Sequence, residues 1–370
     1  MSNNASTIVK IENELYKIPL PNPMEDATHG VMTRFDLLIT RVTNSEGQVG
    51  CGYTFIADLA GKATYSVAEE EIKPLVMGMD ADRIEQIWGK IFDHLYFVGR
   101  GGIVSFALSA IDIALWDLRG KRANMPLWKL VGGYREKVKC YGGGVDLNLT
   151  PDELVENVKQ YLSEGHKSVK IKVGKKTLAE DIARLEKVRA YLDSLDEEIT
   201  LMVDCNCGWN STEALRAAVA LEKYDLYWLE EPLTPDNLGA HKRISELSHI
   251  PIAMGENFRS IYEFDRMLKY GHCDHPQPDV SNIGGITAFL KVAAEAQIQH
   301  LEISTHGMQE IAVSLLCGIP NSGYLEIHAF PLSDFMTWKV KVEDGMASPP
   351  NAPGTGVEFN SEKLKQYRVL

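Results

Sequence analysis

The chain has little of what marks membrane, secreted or nucleic-acid-binding proteins. No apolar run reaches the roughly 18 residues that a membrane-spanning helix needs. Its first residues lack a basic segment followed by an apolar stretch, so we expect no secretory signal and no membrane partner. The formal net charge is −13 and the sequence shows no basic face, which argues against nucleic acid as a partner.

Cysteine is also scarce. The chain has six cysteines, and their positions show no disulfide spacing. Such cysteines suit a reducing compartment, so we expect a cytoplasmic location. Cys205 and Cys207 could be ligands of a zinc ion. No second thiol pair follows them, however, so a zinc site is not favoured.

What the chain does have is the composition of a globular protein, with 370 residues of which 45% are hydrophobic and 24% charged. The first 55 or so residues are rich in β-branched and aromatic side chains and predict strands. A polar loop is expected between them at Pro21–Arg34, and helices are expected near 64–76, 81–97 and 103–122.

From about residue 136 onward, eight short apolar runs alternate with longer amphipathic stretches. This alternation predicts an α/β protein with eight parallel strands closed into a (β/α)8 barrel. A doubly wound open sheet is the alternative, but its glycine fingerprint is missing. The last 25 or so residues resemble a loop, and we expect them to return to the N-terminal part.

Polar side chains close the predicted strands at their carboxyl ends, where the chemistry of such a barrel takes place. From Asp204 onward, successive ones are separated by 20 to 27 residues, about one strand and helix each. That repeat predicts a convergent site rather than a random charged surface. The residues are Lys170, Lys172, Asp204, Glu230, Glu256, Asp279, His306 and Glu326.

Three of these residues, Asp204, Glu230 and Glu256, come from adjacent predicted strands. Carboxylates that crowd together repel one another and raise their pKa values unless a cation joins them. An all-oxygen set without histidine or cysteine favours a hard cation. The sequence therefore predicts a Mg²⁺ site, with Mn²⁺ as a substitute.

Lys170 and Lys172 are two residues apart in a strand and point the same way. At about 6.6 Å, their mutual repulsion is roughly 2.5 kcal/mol and is expected to lower the pKa of one lysine. That lysine could act as a base, while the other stays cationic and binds an anion.

Asp279 and His306 lie on successive predicted strands. A carboxylate that holds one ring nitrogen fixes the tautomer of histidine and raises its basicity. Lys172 and His306 would then face a substrate from opposite sides. Glu326, if protonated, would donate a hydrogen bond to a developing oxyanion.

Nine short motifs lie between residues 110 and 328. They are AIDIALWDLRGK (110–121), PLWKLVGG (126–133), KIKVG (170–174), VDCNCGW (203–209), WLEEP (228–232), GEN (255–257), QPDVSNIGGIT (277–287), STHGMQE (304–310) and YLEIH (324–328). Each motif is weak alone, but their joint order and spacing are specific. Through these motifs the sequence resembles the mandelate racemase subgroup of the enolase superfamily, over nearly the whole chain.

The resemblance implies a modified TIM barrel, (β/α)7β, under an α+β cap. The implied domains are an N-terminal cap at 1–130, a catalytic barrel at 131–340 and a tail at 341–370 that returns to the cap. A homo-oligomer, from dimer to octamer, is also implied.

The resemblance further assigns roles to the polar residues. The first glutamate of the WLEEP motif, Glu230, is the metal ligand, and Asn206 lies near the bound substrate. Lys172 is one base and Lys170 the partner of the substrate carboxylate. His306 with Asp279 is the other base or acid. Glu326 is the oxyanion partner.

The shared reaction is removal of a proton alpha to a carboxylate, through an enediolate. For a small-molecule sugar acid, loss of water then gives a 2-keto-3-deoxy acid. Two alternatives are a cycloisomerase that opens an anhydro-sugar acid or lactone, and a racemase or epimerase of a 2-hydroxy acid. Alternatives of other classes are a non-catalytic sugar-binding barrel and a metal-free glycoside hydrolase.

Specificity is expected to come from the predicted loop Pro21–Arg34, with His29 and Arg34 as substrate-binding candidates beside Glu25 and Asp26. A second candidate is Phe97–Gly102 with Arg100. An ordinary solvated surface loop is an equally good interpretation of each of these residues.

Overall fold

The computed structural model describes residues 6–370. The N-terminal part of this range forms an antiparallel three-stranded sheet. Its strands, in the order β1-β2-β3, are β1 (Ile8–Asp26), β2 (Gly30–Asn44) and β3 (Val49–Ile56). Most of the predicted loop Pro21–Arg34 is therefore strand, and only Ala27–His29 turns. The pairing of β1 with β2 shifts between Pro19 and Met24, because proline nitrogens cannot donate to the ladder, and then resumes up to Asp26 and Gly30.

Helices follow this sheet. They are α1 (Gly61–Ser66), a π-helical segment (Val67–Ile72), α2 (Lys73–Val76), α3 (Ile84–His94), α4 (Tyr96–Gly99), α5 (Ile103–Ala123) and α6 (Leu127–Leu130). The helix predicted near 81–97 is thus two helices. Glycines in β3 let α5 approach the sheet closely, since a Cβ at Gly50 would lie 2.0 Å from the carbonyl oxygen of Ala114.

The second part of the chain is a parallel barrel, with strand order β4 to β9 and β10 paired back to β4. The strands are β4 (Val138–Gly143), β5 (Ser168–Lys172), β6 (Thr200–Asp204), β7 (Leu226–Glu230), β8 (Ile252–Met254), β9 (His275–Pro276) and β10 (Tyr324–His328). The helices between them are α7 (Pro151–Ser163), α8 (Leu178–Asp193), α9 (Ser211–Leu221), α10 (Leu238–Leu247), α11 (Ile261–Tyr270), α12 (Gly285–Ile298) and α13 (Gln309–Gly318), with a 3₁₀ turn at Glu222–Tyr224.

The seventh predicted strand, LEISTH, forms only an isolated bridge at Ile303. Single hydrogen bonds still hold it between its neighbours, because the Ser304 N–H donates to Pro276 and the Thr305 N–H donates to Tyr324. Seven helices therefore separate eight strand positions. This confirms the predicted modified TIM barrel, (β/α)7β, beside a separate N-terminal sheet.

The C-terminal segment contacts both parts. It contains a 3₁₀ turn (Pro331–Phe335), β11 (Val342–Glu343), β12 (Met346–Ala347), α14 (Ser361–Leu364) and a second 3₁₀ turn (Lys365–Tyr367). β12 pairs with β4 of the barrel, whereas the Val369 N–H donates to Leu15 of β1. The proposed domain limits 1–130, 131–340 and 341–370 stay predictions. Within residues 6–370, no helix combines the length and the apolarity that a bilayer crossing requires.

A buried carboxyl joins the N-terminal sheet to the barrel. Glu310 of α13 is fully buried and accepts a hydrogen bond from the Tyr53 hydroxyl of β3 at 3.3 Å. Its other oxygen has no partner among the described residues. Burial raises the pKa of Glu310 from 4.5 to about 7.

This carboxyl should make stability fall as the pH rises. The unfolded chain releases this proton near pH 4.5, whereas the folded chain keeps it until about pH 7. Between pH 5 and 8 the free energy of unfolding therefore decreases by roughly 2 kcal/mol from this group. Glu310→Gln should remove that part of the decrease. Urea unfolding at pH 5 and pH 8 measures it, with the exposed Glu302→Gln as control. If the free energy of unfolding of Glu310→Gln fell between pH 5 and pH 8 by as much as that of the wild type, the carboxyl would be ionised at both pH values.

Candidate active site

The carboxyl ends of β5, β6 and β7 lie side by side. The parallel register pairs Lys172 with Asp204 and Asp204 with Glu230. Because every second residue of a strand points into the barrel mouth, Lys170 and Lys172 face the same space. The predicted convergence of Lys172, Asp204 and Glu230 is therefore a consequence of strand register.

Asp204, Glu230 and Glu256 form a cluster whose ligand oxygens lie within 4.8 Å of one another. Asp204 and Glu230 are fully buried, and Glu256 is 7% exposed. Burial raises the pKa of Glu230, and Asp204 raises it further. Oε2 of Glu256 accepts no hydrogen bond among the described residues. Three buried carboxylates with a free oxygen form an all-oxygen donor set, which fits a hard divalent cation such as Mg²⁺.

The two lysines already contact these carboxylates. Nζ of Lys170 lies 2.5 Å from Glu230, 3.0 Å from Glu326 and 3.4 Å from Asp204. Nζ of Lys172 donates to Oδ2 of Asp204. The expected lowering of a lysine pKa is wrong for the metal-free chain. Burial would lower the pKa of Lys172, but Asp204 raises it above its ordinary value, because the carboxylates outweigh the repulsion from Lys170.

The structure brings His306 and Asp279 together. Nδ1 of His306 lies 2.9 Å from Oδ2 of Asp279, and Nε2 lies 3.3 Å from Oε2 of Glu256. Burial lowers the pKa of His306, but Glu256, Glu326 and Asp279 together raise it to about 10. These carboxylates therefore favour the imidazolium form of His306, the form that gives up a proton.

Glu326, in the middle of β10, accepts a hydrogen bond from the Gly307 N–H at 2.8 Å. Burial alone would raise the pKa of Glu326, but the positive charges of Lys170 and His306 lower it by more, so the net shift is downward. The protonated form that the sequence analysis required for a donor is thus disfavoured without a metal. Here Glu326 serves as the acceptor that orients Lys170.

Several residues around the cluster were missed. Gln277 donates to Oε2 of Glu230 at 2.9 Å, and it stands two residues before Asp279, the strand spacing that could have identified it. Asp146 accepts the Lys172 backbone N–H at 3.0 Å and pairs with buried Arg184. Asp146 follows β4, the first strand of the barrel, and its position there gave no comparable sequence signal.

Two further residues, from the VDCNCGW and WLEEP motifs, also make defined contacts. Asn206 has a left-handed backbone, with φ of 42°, and donates to Glu256 at 3.4 Å. Glu231 receives hydrogen bonds from Asn257 at 2.6 Å and from Cys207 at 3.3 Å. Burial raises the pKa of Glu231 to about 8.

A cavity opens above this cluster, between the barrel mouth and the N-terminal sheet. Lys172, Asn206, Glu256, Asp279 and His306 line its floor. The side facing the sheet is mostly apolar or aromatic, with two histidines. It is lined by His29, Met32, Phe55, Leu59, Phe106, His328 and Phe330.

Of the predicted specificity residues, His29 lines this cavity. Its Nδ1 lies 2.9 Å from Asp26, and that hydrogen bond raises the pKa of His29. Arg34 does not line the cavity. Its guanidinium is half exposed and pairs with Asp58, because the supposed loop is strand and turns Arg34 away. Arg100 also lies outside, with its guanidinium 4.7 Å from the centre of the Tyr262 ring.

Comparisons with known proteins agree on one family. The model of the mandelate racemase / muconate lactonizing enzyme N-terminal domain matches residues 10–132, and that of the enolase C-terminal domain-like fold matches residues 153–363. The chain is 41% identical to a 3,6-anhydro-alpha-L-galactonate cycloisomerase of Streptomyces coelicolor, covering 98% of this chain and 99% of that protein.

The chain is also similar to a dehydratase and to a crystal structure of a racemase. The chain is 32% identical to an L-talarate/galactarate dehydratase of Salmonella typhimurium, over 95% of this chain and 89% of that protein. A crystal structure of a racemase from Streptomyces coelicolor with bound magnesium superimposes with a TM-score of 0.94. It is 41% identical and covers 98% of this chain and 100% of that one.

Proposed function

The chain belongs to the mandelate racemase / muconate lactonizing enzyme family of the enolase superfamily, and we propose that it eliminates an oxygen substituent from a sugar acid after removing the proton alpha to the carboxylate. Loss of water, which gives a 2-keto-3-deoxy acid, is the principal reaction. The observation that supports this most directly is that Lys172 and the His306–Asp279 pair line one cavity. There Lys172 contacts Asp204 and His306 lies 3.3 Å from Glu256, so both groups reach the carboxylate trio.

Asp204, Glu230 and Glu256 would hold Mg²⁺. When bound, the cation neutralises the substrate carboxylate and the negative charge that develops on it. Lys170 is buried against Glu230 and Glu326 and supplies a fixed positive charge to the same carboxylate. Asn206 and His29 line the floor and the roof of the cavity and would bind substrate oxygens.

Two side chains would move protons. Lys172, once neutral, takes the alpha proton, and the C–H electron pair passes into the enediolate of the substrate. His306 as an imidazolium then gives its Nε2 proton to the oxygen on the beta carbon as the C–O bond breaks. Water leaves and the resulting enol becomes the keto acid. Asp279 holds Nδ1 and stabilises the cationic ring.

A second reaction is favoured by a specific observation. The relative with 41% identity is named a cycloisomerase of an anhydro-sugar acid. The same two proton transfers open such a ring if the leaving oxygen is the ring ether, since that oxygen stays attached as a hydroxyl. If no oxygen leaves, reprotonation by His306 from the opposite face gives racemisation or epimerisation. A homo-oligomer and a cytoplasmic location remain predictions.

The test is a library of acid sugars, including 3,6-anhydro-α-L-galactonate and L-talarate, followed by NMR in D₂O. We expect a keto acid that requires Mg²⁺ and is lost with EDTA. His306→Asn should block oxygen loss, while Lys172 continues to exchange the alpha proton. His300→Asn, at an exposed site, is the control. Normal elimination by His306→Asn would contradict the acid role, and turnover insensitive to EDTA would favour a metal-free hydrolase.

A further inference from the structure

His328 is a cavity residue for which neither the sequence analysis nor the proton transfers above give a role. It ends β10 and lies two residues after Glu326, so both side chains point from the same face of the strand. Its ring packs edge-on against that of His306, with 5.3 Å between the centroids. It lines the same cavity as Lys172 and Glu256.

One ring nitrogen of His328 is already occupied. The Phe330 backbone N–H donates to Nδ1 at 3.1 Å, so the lone pair of the neutral ring is on Nδ1 and the proton is on Nε2. Burial lowers the pKa of His328 to about 4, and His306 also lowers it. His328 is therefore neutral at physiological pH and has one fixed donor.

That donor is free. Among the described residues nothing accepts a hydrogen bond from Nε2, and Nε2 is not among the enclosed polar atoms that lack a partner. Nε2 is therefore reached from the cavity. The aromatic rings of Phe55 and Phe330, whose centroids lie 6.3 and 4.6 Å from that of His328, restrict water around the imidazole. A hydrogen bond made there is stronger than one in open solvent.

A metal is the other ligand to consider, because His306, Glu326 and His328 offer ligand atoms within 4.8 Å of one another. Metal binding through Nε2 of His328 needs a lone pair on that nitrogen. The Phe330 N–H places the lone pair on Nδ1 instead. The geometry thus favours a hydrogen-bond donor over a metal ligand.

We propose that His328 is a substrate-binding residue whose Nε2–H donates to a neutral oxygen of the acid sugar, next to the oxygen that His306 protonates. A hydroxyl or a ring ether fits this position. A second carboxylate does not, because the neutral imidazole provides no countercharge and the carboxylate of Glu326 is close by. The inference rests on the proposed function and defines the substrate class at this end of the cavity.

Three variants separate a binding role from a structural one. His328→Gln keeps an N–H near the Nε2 position, His328→Asn keeps an acceptor near Nδ1 for Phe330 but loses the distal donor, and His328→Phe keeps only the ring. We expect KM to rise roughly 10-fold or more in the Asn and Phe variants, as for loss of one hydrogen bond to the substrate. The Gln variant should recover most of that loss.

The measurement uses 3,6-anhydro-α-L-galactonate and L-talarate as probes, with Mg²⁺ affinity and thermal unfolding as checks on the fold. Unchanged KM in both His328→Asn and His328→Phe would overturn the inference. So would a pattern in which Asn is active and Gln is not, because His328 would then only support Phe330. If the wild-type enzyme acts on no acid sugar at all, the proposed function fails instead, and the two failures are distinguishable.

Discussion

Replacement of Lys172 by alanine is expected to abolish turnover and to leave Mg²⁺ binding intact. The Lys172 side chain is 5% exposed, reaches the cavity and contacts Asp204. A positioned general base contributes about 10²- to 10⁴-fold to a reaction rate, and alanine leaves no group in its place. Because the ammonium group of Lys172 competes with a cation for Asp204, its removal should keep or increase Mg²⁺ affinity.

Two assays on the same variant make this result decisive. Calorimetric titration measures Mg²⁺ affinity, and NMR in D₂O measures alpha-proton exchange and product formation. Lys176→Ala, at an exposed position four residues away, is the matched control and should behave as wild type. Turnover retained in Lys172→Ala would contradict its role as base, whereas lost Mg²⁺ affinity would mean that the lysine supports the metal site instead.

Much of the site could be predicted because a barrel repeats its geometry. One ionisable residue per strand end, at a spacing of one strand and helix, is sufficient to place Asp204, Glu230 and His306 at a common mouth. The same rule works where the strand is nearly absent. The LEISTH segment forms one bridge only, yet His306 still reaches Asp279. The N–H groups of Ser304 and Thr305 donate to the neighbouring strands on either side and thereby fix the backbone of the segment.

Electrostatic details could not be predicted in the same way. The pKa of Lys172 depends on how many carboxylates lie within reach, and a single pairwise repulsion gave the wrong sign. Arg34 shows a second limit. Three prolines between residues 19 and 23 suggest a loop, but the strands resume their pairing beyond them and turn the guanidinium outward. The tautomer of His328 depends on a hydrogen bond from the backbone N–H of Phe330. A pattern of residue types does not reveal such a bond.

Glu256→Gln should weaken Mg²⁺ binding strongly and stop turnover with it. The backbone of Glu256 is held independently of its side chain, since Asn282 and Arg259 donate to its carbonyl at 2.9 and 2.6 Å. The substitution therefore removes one charge and keeps the shape. Loss of a group that merely orients a metal ligand costs about 10- to 100-fold in affinity, so loss of a ligand charge should cost at least that much.

Titration calorimetry with Mg²⁺ and thermal unfolding with and without the cation measure this effect. Glu246→Gln, on the exposed face of α10, is the control for a lost surface charge. The metal-dependent rise in melting temperature should disappear at moderate Mg²⁺ in Glu256→Gln and persist in Glu246→Gln, since a cation stabilises only as far as it binds the folded chain. Equal Mg²⁺ affinity in the two variants would mean that Glu256 is no ligand, and that its free oxygen serves only His306 at 3.3 Å.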